Sequence, residues 1–214
     1  MKALVKFSLL GGGLLVAVLA LANCKLAMAP LARAFGVPPE SELAKCRAAF
    51  RQLQGGLESA TLQIAAVLTV DEQGAVWRRP FAAALQKEVA AHTKAKLTLP
   101  TSRPTVAPTP FGHNQLRYLW TRAADYTRAL QAARPDADFV LQAEIFAHDG
   151  KIAAIQVYVF TAEGQVAYCR LFNSHHFGPD FRTGGNAAFE LIVRHLFEDL
   201  RRDADAVFPP HGVG

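Results

Sequence analysis

Residues 136–173 decide the fold, and they read DADFVLQAEIFAHDGKIAAIQVYVFTAEGQVAYCRLFN. Three runs rich in aromatic and β-branched residues are separated by two short turns, which contain Gly150 and Gly164. Runs of this composition with short glycine-containing turns between them are typical of neighbouring antiparallel strands. The stretch therefore predicts a meander of three strands.

Working outward, residues 61–70 alternate between two fairly apolar sides, which predicts a central strand. A short strand is expected at residues 96–99. Apolar residues recur at helical spacing in four further segments, at residues 39–56, 80–93, 113–134 and 186–203. The predicted order is α-β-α-β-α-β-β-β-α. This order indicates an α/β (α+β) domain with a mixed sheet and helices packed on it.

A nine-residue stretch within the meander, residues 137–145, reads ADFVLQAEI. Together with the order of elements, it resembles the periplasmic α/β domain shared by three proteins: the curli-export protein CsgG, the LpoB-type activators of peptidoglycan synthases, and the N-terminal domain of TolB. Ala143 stands where that pattern usually has Gly. The resemblance covers residues 57–205 and implies an envelope-anchored, non-enzymatic protein, with no catalytic residues to carry over.

The first 24 residues have the features of an export signal. Lys2 and Lys6 form a short basic start, and residues 7–24 contain no charge. This pattern is typical of a secretory signal, and eighteen uncharged residues are also close to the shortest membrane span. The run ends in Leu-Ala-Asn-Cys, with the cysteine at position 24. It resembles the lipobox of bacterial lipoproteins, in which the cysteine becomes the lipid-bearing first residue. Asn23 departs from the small residue usual there.

Two alternatives to lipidation at Cys24 remain open. Ala27-Met28-Ala29 is a rival cleavage site, although Pro30 follows it, and the apolar run could stay as an uncleaved anchor. All three possibilities place the bulk of the chain outside the cytoplasm, facing the bacterial periplasm. The expected divisions are a signal peptide or membrane anchor at 1–23, a tether at 24–38, a membrane-proximal helix at 39–56, the α/β domain at 57–205 and a loose tail at 206–214.

The charge balance argues against a nucleic-acid-binding protein. The whole chain has 23 basic and 18 acidic residues, for a formal charge of +5. Without Lys2 and Lys6 the formal charge is +3. A nucleic-acid-binding domain would be expected to concentrate basic residues on one surface. We therefore expect the partners to be an envelope protein or cell-wall component, with the membrane contacted through the N-terminus.

The three cysteines fit an oxidising compartment. If Cys24 carries lipid, Cys46 and Cys169 remain as a pair that could form a disulfide. Cys46 lies on the apolar side of the first helix, and Cys169 lies on the last strand of the meander. The alternative is two buried thiols that pack as small apolar side chains.

The most conspicuous polar cluster follows the last strand. It consists of Asn173, Ser174, His175 and His176, and His113 is a further imidazole that could join it. A periplasmic hydrolase or metal-binding protein built on these residues is the alternative function. Adjacent histidines point in different directions, and none of them has another histidine three to five residues away. We therefore expect loop histidines that hydrogen-bond the backbone, and no metal or cofactor.

A candidate partner contact lies at Trp77, Arg78 and Arg79, which are expected in the loop after the first strand. Trp and Arg are common anchors of protein interfaces. The alternative is a tryptophan folded over the sheet edge. The sequence as a whole favours a membrane-tethered, non-catalytic binding or assembly module for another envelope component.

Overall fold

The computed structural model describes residues 36–71, 73–100, 106, 115–173 and 185–210, with the backbone alone for residues 185 and 186. These ranges contain five α-helices and a seven-stranded mixed sheet, so the predicted fold class is confirmed. In chain order the elements are α1 (Glu40–Gly56), β1 (Thr61–Ile64), β2 (Val67–Asp71), β3 (Gly74–Arg78), α2 (Arg79–Ala90), β4 (Lys96–Thr98), α3 (Gln115–Ala133), β5 (Phe139–His148), β6 (Lys151–Thr161), β7 (Val166–Asn173), α4 (Gly185–Asp199) and α5 (Ala204–Val207).

The predicted meander forms the centre of the sheet. β5 pairs antiparallel with β6, and β6 pairs antiparallel with β7. On its other side β5 pairs in parallel with β1 along its first half and with β2 along its second half. β4 extends the sheet beyond β1, and β3 extends it beyond β2.

The predicted strand at residues 61–70 is interrupted between β1 and β2. The interruption has the character of a bulge, because the register against β5 moves by one residue, from Ile64 opposite Leu141 to Leu68 opposite Glu144. Gln142 lies beside the interruption, and its side-chain Nε2 donates to the backbone carbonyl of Ala66 at 3.1 Å. A buried amide thus supplies a partner for a carbonyl that the sheet ladder leaves out.

The prediction of a loop around Trp77 was wrong. Residues 74–78 form β3, which returns antiparallel to β2 with Trp77 opposite Leu68. The reversal is supported by the Asp71 side chain, which accepts a hydrogen bond from the backbone N–H of Gln73 at 2.8 Å, and by Gly74 at a φ of 130°. The chain therefore contains a hairpin where a single strand followed by a loop was expected.

One side of the sheet, the apolar face, is covered by α1, α2 and α4. The predicted inner positions of α1, which are Leu43, Cys46, Phe50 and Leu53, are all buried. They join a single cluster with the strand residues that share this side, including Phe139, Leu141, Ile155 and Val157. At about 25 cal/mol per Å² of apolar surface, burial of this cluster is the main stabilising contribution to the fold.

The C-terminal end is more ordered than expected. α4 ends at Asp199, α5 follows at Ala204–Val207, and the side chain of Phe208 is 3% exposed. The Phe208 ring packs edge-on against Phe50 of α1, with ring centroids 6.0 Å apart. The expectation of a loose tail from residue 206 was therefore wrong for residues up to Phe208. Residues 211–214 lie outside the described ranges.

Candidate functional site

The polar cluster expected after the last strand lies largely outside the described residues. The residues of this cluster that lie outside the described ranges are Ser174, His175, His176 and His113. Asn173 ends β7 and is buried, and its Nδ2 donates to Oε1 of Gln115 at 3.4 Å. Within the described ranges no group of three or more His, Cys, Asp or Glu side chains is placed to hold a metal ion.

The predicted contact residues sit on the β3 edge of the sheet. Trp77 is half-buried and packs against the cluster under α3, which matches the alternative of a tryptophan folded over the sheet edge. Arg78 ends β3 and is exposed, and Arg79 begins α2 and is exposed.

The opposite side of the sheet, the α3 face, holds a polar seam that the sequence analysis missed. We use the term polar seam for six buried residues: Arg122 and Tyr126 on α3, Gln142 and Glu144 on β5, and Gln156 and Tyr158 on β6. The two glutamines and Glu144 are polar positions within central strands that are otherwise apolar. That interruption of the apolar pattern is the signal from which the seam could have been found.

An ion pair at the centre of the seam joins α3 to β5. Nε of Arg122 donates to Glu144 Oε1 at 3.0 Å and to Oε2 at 3.3 Å, and Nη2 donates to Oε1 as well. Tyr126 donates its hydroxyl to the same Oε1 at 2.6 Å. The arginine side chain is 1% exposed and the glutamate side chain is fully buried. Breaking such a pair on one side leaves an uncompensated buried charge.

The pKa directions agree with a closed network. Burial raises the pKa of Tyr126 well above its usual range, and the negative charge of Glu144 raises it further. Burial alone would lower the pKa of Arg122, but hydrogen bonds to Glu144 and its charge raise it above the ordinary value. Each group is therefore held in its ordinary protonation state. Both side chains thereby keep the hydrogen bonds to Glu144 that join α3 to the sheet.

A groove of about 500 Å³ opens beside the seam, between α1, α3 and the turn that joins β6 to β7. Its apolar lining comes from Trp120, Ala123 and Ala124 of α3, Cys46 of α1 and Val166 of β7. Its polar lining includes Thr127 and Gln131 of α3, Gln165 of the turn, and the charged residues Glu42, Lys45 and Arg128. The size falls within the range of small-molecule sites.

The groove has two walls fixed by close backbone approach. Gly164, in the β6–β7 turn, has a φ of 78°, and a Cβ there would lie 2.9 Å from the carbonyl oxygen of Thr127. Gly36, with a φ of 84°, lies so close to Arg117 that a Cβ would overlap its Cα. Glycine is required at both positions by conformation and by space. The chain therefore enters the described domain directly at the groove.

The charged groups around the groove are paired with near neighbours. Lys45 Nζ lies 2.8 Å from Glu42 Oε1, and Arg128 pairs with Asp125. These pairs are exposed, so they add little to stability. They leave the rim without a strong excess of either sign, while the floor remains apolar.

Cys46 and Cys169 are both free thiols in the structure. α1 packs mainly against β7, and the two residues contribute to the same apolar cluster. Burial raises the pKa of Cys46 to about 12, with the charge of Glu42 as a second cause. Burial also raises the pKa of Cys169, and the charge of Cys46 adds to that shift. A raised pKa leaves little of either thiol as thiolate, which is the nucleophilic form.

The predicted export signal, including Cys24, lies outside the described residues. Within the ranges that the structure covers, no helix has the length and hydropathy needed to cross a membrane.

No protein-family model matches the chain, and no curated protein matches it. Two solved structures have a weak likeness at the level of the fold. One is the C-terminal domain of LpoB from Salmonella enterica, with 12% identity over 64% of this chain and 96% of that chain, and a TM-score of 0.35. The other is the hypothetical protein CT253 from Chlamydia trachomatis, with 17% identity over 70% of this chain and 98% of that chain, and a TM-score of 0.30. At these TM-scores neither structure identifies a function for the chain.

Proposed function

We propose that this chain is a membrane-tethered protein of the bacterial cell envelope whose folded domain binds another envelope component without catalysing a reaction. The observation that carries the proposal is the groove between α1 and α3. It combines an apolar floor with a polar rim, which is the composition of a recognition site.

The lining of the groove fits an extended segment of a partner protein. The small side chains of Ala123 and Ala124 leave the floor of the groove open, and the indole of Trp120 provides a large apolar surface at one side. Thr127, Gln131 and Gln165 offer hydroxyl and amide groups that can hydrogen-bond a peptide backbone. Tryptophan is among the residue types that most often anchor protein interfaces.

The position of the groove links binding to the tether. Gly36, the first described residue, lines the groove, and the proposed tether at residues 24–38 leads into it. A partner bound there would contact the domain on the side from which the chain leads to the membrane. In this proposal Cys24 carries lipid after cleavage, as the lipobox-like sequence before it indicates.

Site-directed photo-crosslinking in intact cells tests the binding site. A photoreactive amino acid replaces Ala124, which lines the groove, or Ala132, which is exposed on the same helix and does not line it. We expect a discrete protein adduct at position 124 that is at least about tenfold stronger than at position 132. Ala124→Glu should abolish binding of the captured protein, and Ala132→Glu should leave it intact. Equal adducts at both positions would contradict binding at the groove, and a glycan adduct at position 124 would contradict a protein partner there.

Mass spectrometry of the membrane fraction tests the tether separately. We expect the mature chain to begin with an acylated Cys24, and Cys24→Ser to prevent both cleavage and acylation. A chain that retains Met1, or one that begins at Pro30, would overturn the lipoprotein proposal while leaving the groove proposal standing.

A further inference from the structure

Cys46 and Cys169 lie on two elements that pack directly against each other. α1 carries Cys46 on its inner side, where it is 6% exposed, and packs along β7, the edge strand that carries Cys169. Trp120 and Val166 pack with the same apolar cluster as both cysteines, and both line the groove with Cys46. Two cysteines separated by more than a hundred residues thus lie on packed elements and adjoin the same apolar cluster, and Cys169, opposite Tyr158, also adjoins the cluster under α3.

We propose that Cys46 and Cys169 form an intramolecular disulfide that clamps α1 to the edge of the sheet. The S–S bond forms as the two thiols lose two protons and two electrons, and a disulfide donor such as oxidised glutathione is reduced to two thiols. In cells the donor would be a protein disulfide of the oxidising compartment, so this step rests on the proposed export of the domain.

The burial of the thiols determines when the bond can form. A thiol with a raised pKa holds little thiolate near neutral pH, and thiolate is needed to attack a disulfide. The folded domain should therefore oxidise slowly, and the bond should form while the chain folds or when α1 opens. Once the bond has formed, a reductant must reach one of its sulfurs, and the packing of α1 on β7 restricts that access.

The clamp would also fix one wall of the groove. Cys46 lines the groove from α1, and Val166 lines it from β7. A covalent link between these two elements would hold the spacing of the walls while force acts on the tether. The free-energy gain expected from closing a loop of this length is large, because the unfolded chain loses much of its freedom.

The experiment uses the full-length chain purified in detergent. It is unfolded in urea under reducing conditions and then refolded in a glutathione redox buffer. Non-reducing trypsin digestion should give the dipeptide Cys46-Arg47 joined to residues 152–170. The bond should form at least about tenfold faster during refolding than during oxidation of the protein that is already folded.

The melting temperature of the oxidised protein should fall by roughly 10 °C on reduction. The variant with Cys46→Ala and Cys169→Ala should not respond to the reductant.

Three results would overturn the clamp: two thiols that remain free after refolding, a bond from either cysteine to Cys24, or a linked peptide with no change in melting temperature. The same peptide mapping is then done on protein taken directly from cells, with free thiols blocked at lysis. It tests the disulfide and the proposed export of the domain separately. A bond that forms on refolding but is absent from cells would contradict export of the domain and leave the geometry intact.

Discussion

The two sides of the central sheet are covered in different ways. The apolar face is packed against three helices by aliphatic and aromatic side chains, including Phe50, Leu141 and Phe189. The α3 face is packed against one long helix, and the polar seam lies in the middle of its apolar contacts. Both faces rely on apolar packing, but the α3 face adds a fully buried ion pair between helix and sheet. On the apolar face, the polar contacts of Tyr168 and Arg170 with Asp199 lie at the edge strand β7.

This difference has a physical consequence. Apolar packing tolerates small shifts, since its energy depends on area and volume. A buried arginine and carboxylate tolerate few shifts, because any misplacement leaves a desolvated charge. Gln142 Oε1 and Gln156 Nε2 are also buried without hydrogen-bond partners within the described structure, which makes the seam more costly still. We therefore expect the seam to specify where α3 lies, and so the shape of the groove, at a cost in stability.

The largest effect is expected from breaking the ion pair on one side. Arg122→Met should lower the free energy of unfolding by about 3–5 kcal/mol, because Glu144 stays buried without its partner. Arg122→Met combined with Glu144→Leu should recover most of that loss. Arg128→Met is the matched control: its arginine is 71% exposed on the same helix and pairs with Asp125, so a change below about 1 kcal/mol is expected. Urea unfolding measures all four proteins. A double variant no more stable than Arg122→Met would show that the seam is favourable in itself.

On the apolar face, Leu141→Ala should cost about 3 kcal/mol, within the range of 2–5 kcal/mol for a fully buried leucine. Leu141→Ala leaves no buried charge without a partner. We therefore expect no second substitution to restore the lost stability, in contrast to the ion pair. Leu116→Ala is the control, since Leu116 is 41% exposed on α3 and its loss should change stability by less than about 0.5 kcal/mol. The same urea unfolding series measures both. A loss below 1 kcal/mol for Leu141→Ala would mean that the apolar face is less well packed than the structure has it.

A smaller effect is expected from Tyr126→Phe, which removes one hydrogen bond to Glu144 and should cost about 2 kcal/mol. Tyr168→Phe is the counterpart on the apolar face. Its hydroxyl donates to Asp199 at 3.0 Å, but Arg170 and Arg202 also pair with that carboxylate, so we expect a smaller loss. Equal losses would remove the distinction between the two faces.

The pH dependence of stability sharpens this comparison. The pKa of Tyr126 is raised above 10 in the folded state, so the unfolded chain loses that proton first as pH rises. Stability is therefore full below pH 10 and falls above it, by up to about 1.4 kcal/mol per pH unit for each such tyrosine. Tyr126→Phe should make this fall shallower. An unchanged slope between pH 10 and 11, measured by urea unfolding, would contradict the closed network.

The smallest effect is expected from Gly164→Ala, at about 1–2 kcal/mol, because alanine would have to adopt a positive φ and its Cβ would press on the Thr127 carbonyl. Gly74→Ala is a useful control: its φ is also positive, but no atom lies within 4 Å of the added Cβ. A greater loss at position 164 than at position 74 would measure the contact between the turn and α3. A loss no greater than that at 74 would assign the whole effect to backbone strain. Thermal unfolding measures both.

Much of the fold was determined by the sequence itself. The runs of aromatic and β-branched residues in 136–173 and the glycine turns between them predict the meander. The three- and four-residue spacing of Leu43, Cys46, Phe50 and Leu53 predicts the buried side of α1. These signals are local, because the period of the apolar residues is set by the geometry of a strand or a helix and needs no knowledge of the rest of the chain.

The tertiary structure decided what pairs with what. The apolar pattern of α3 includes Leu116, which is exposed, and omits Arg122, which is buried only because Glu144 lies opposite it on β5. The hairpin of β2 and β3 depends on the short turn between Asp71 and Gly74. A sequence of this kind is equally typical of the end of a single strand. The groove depends on where Gly36 and Gly164 meet α3, far apart in the sequence. Each of these is a contact between distant segments, and the energy of such a contact belongs to the pair of segments and cannot be assigned to either one alone.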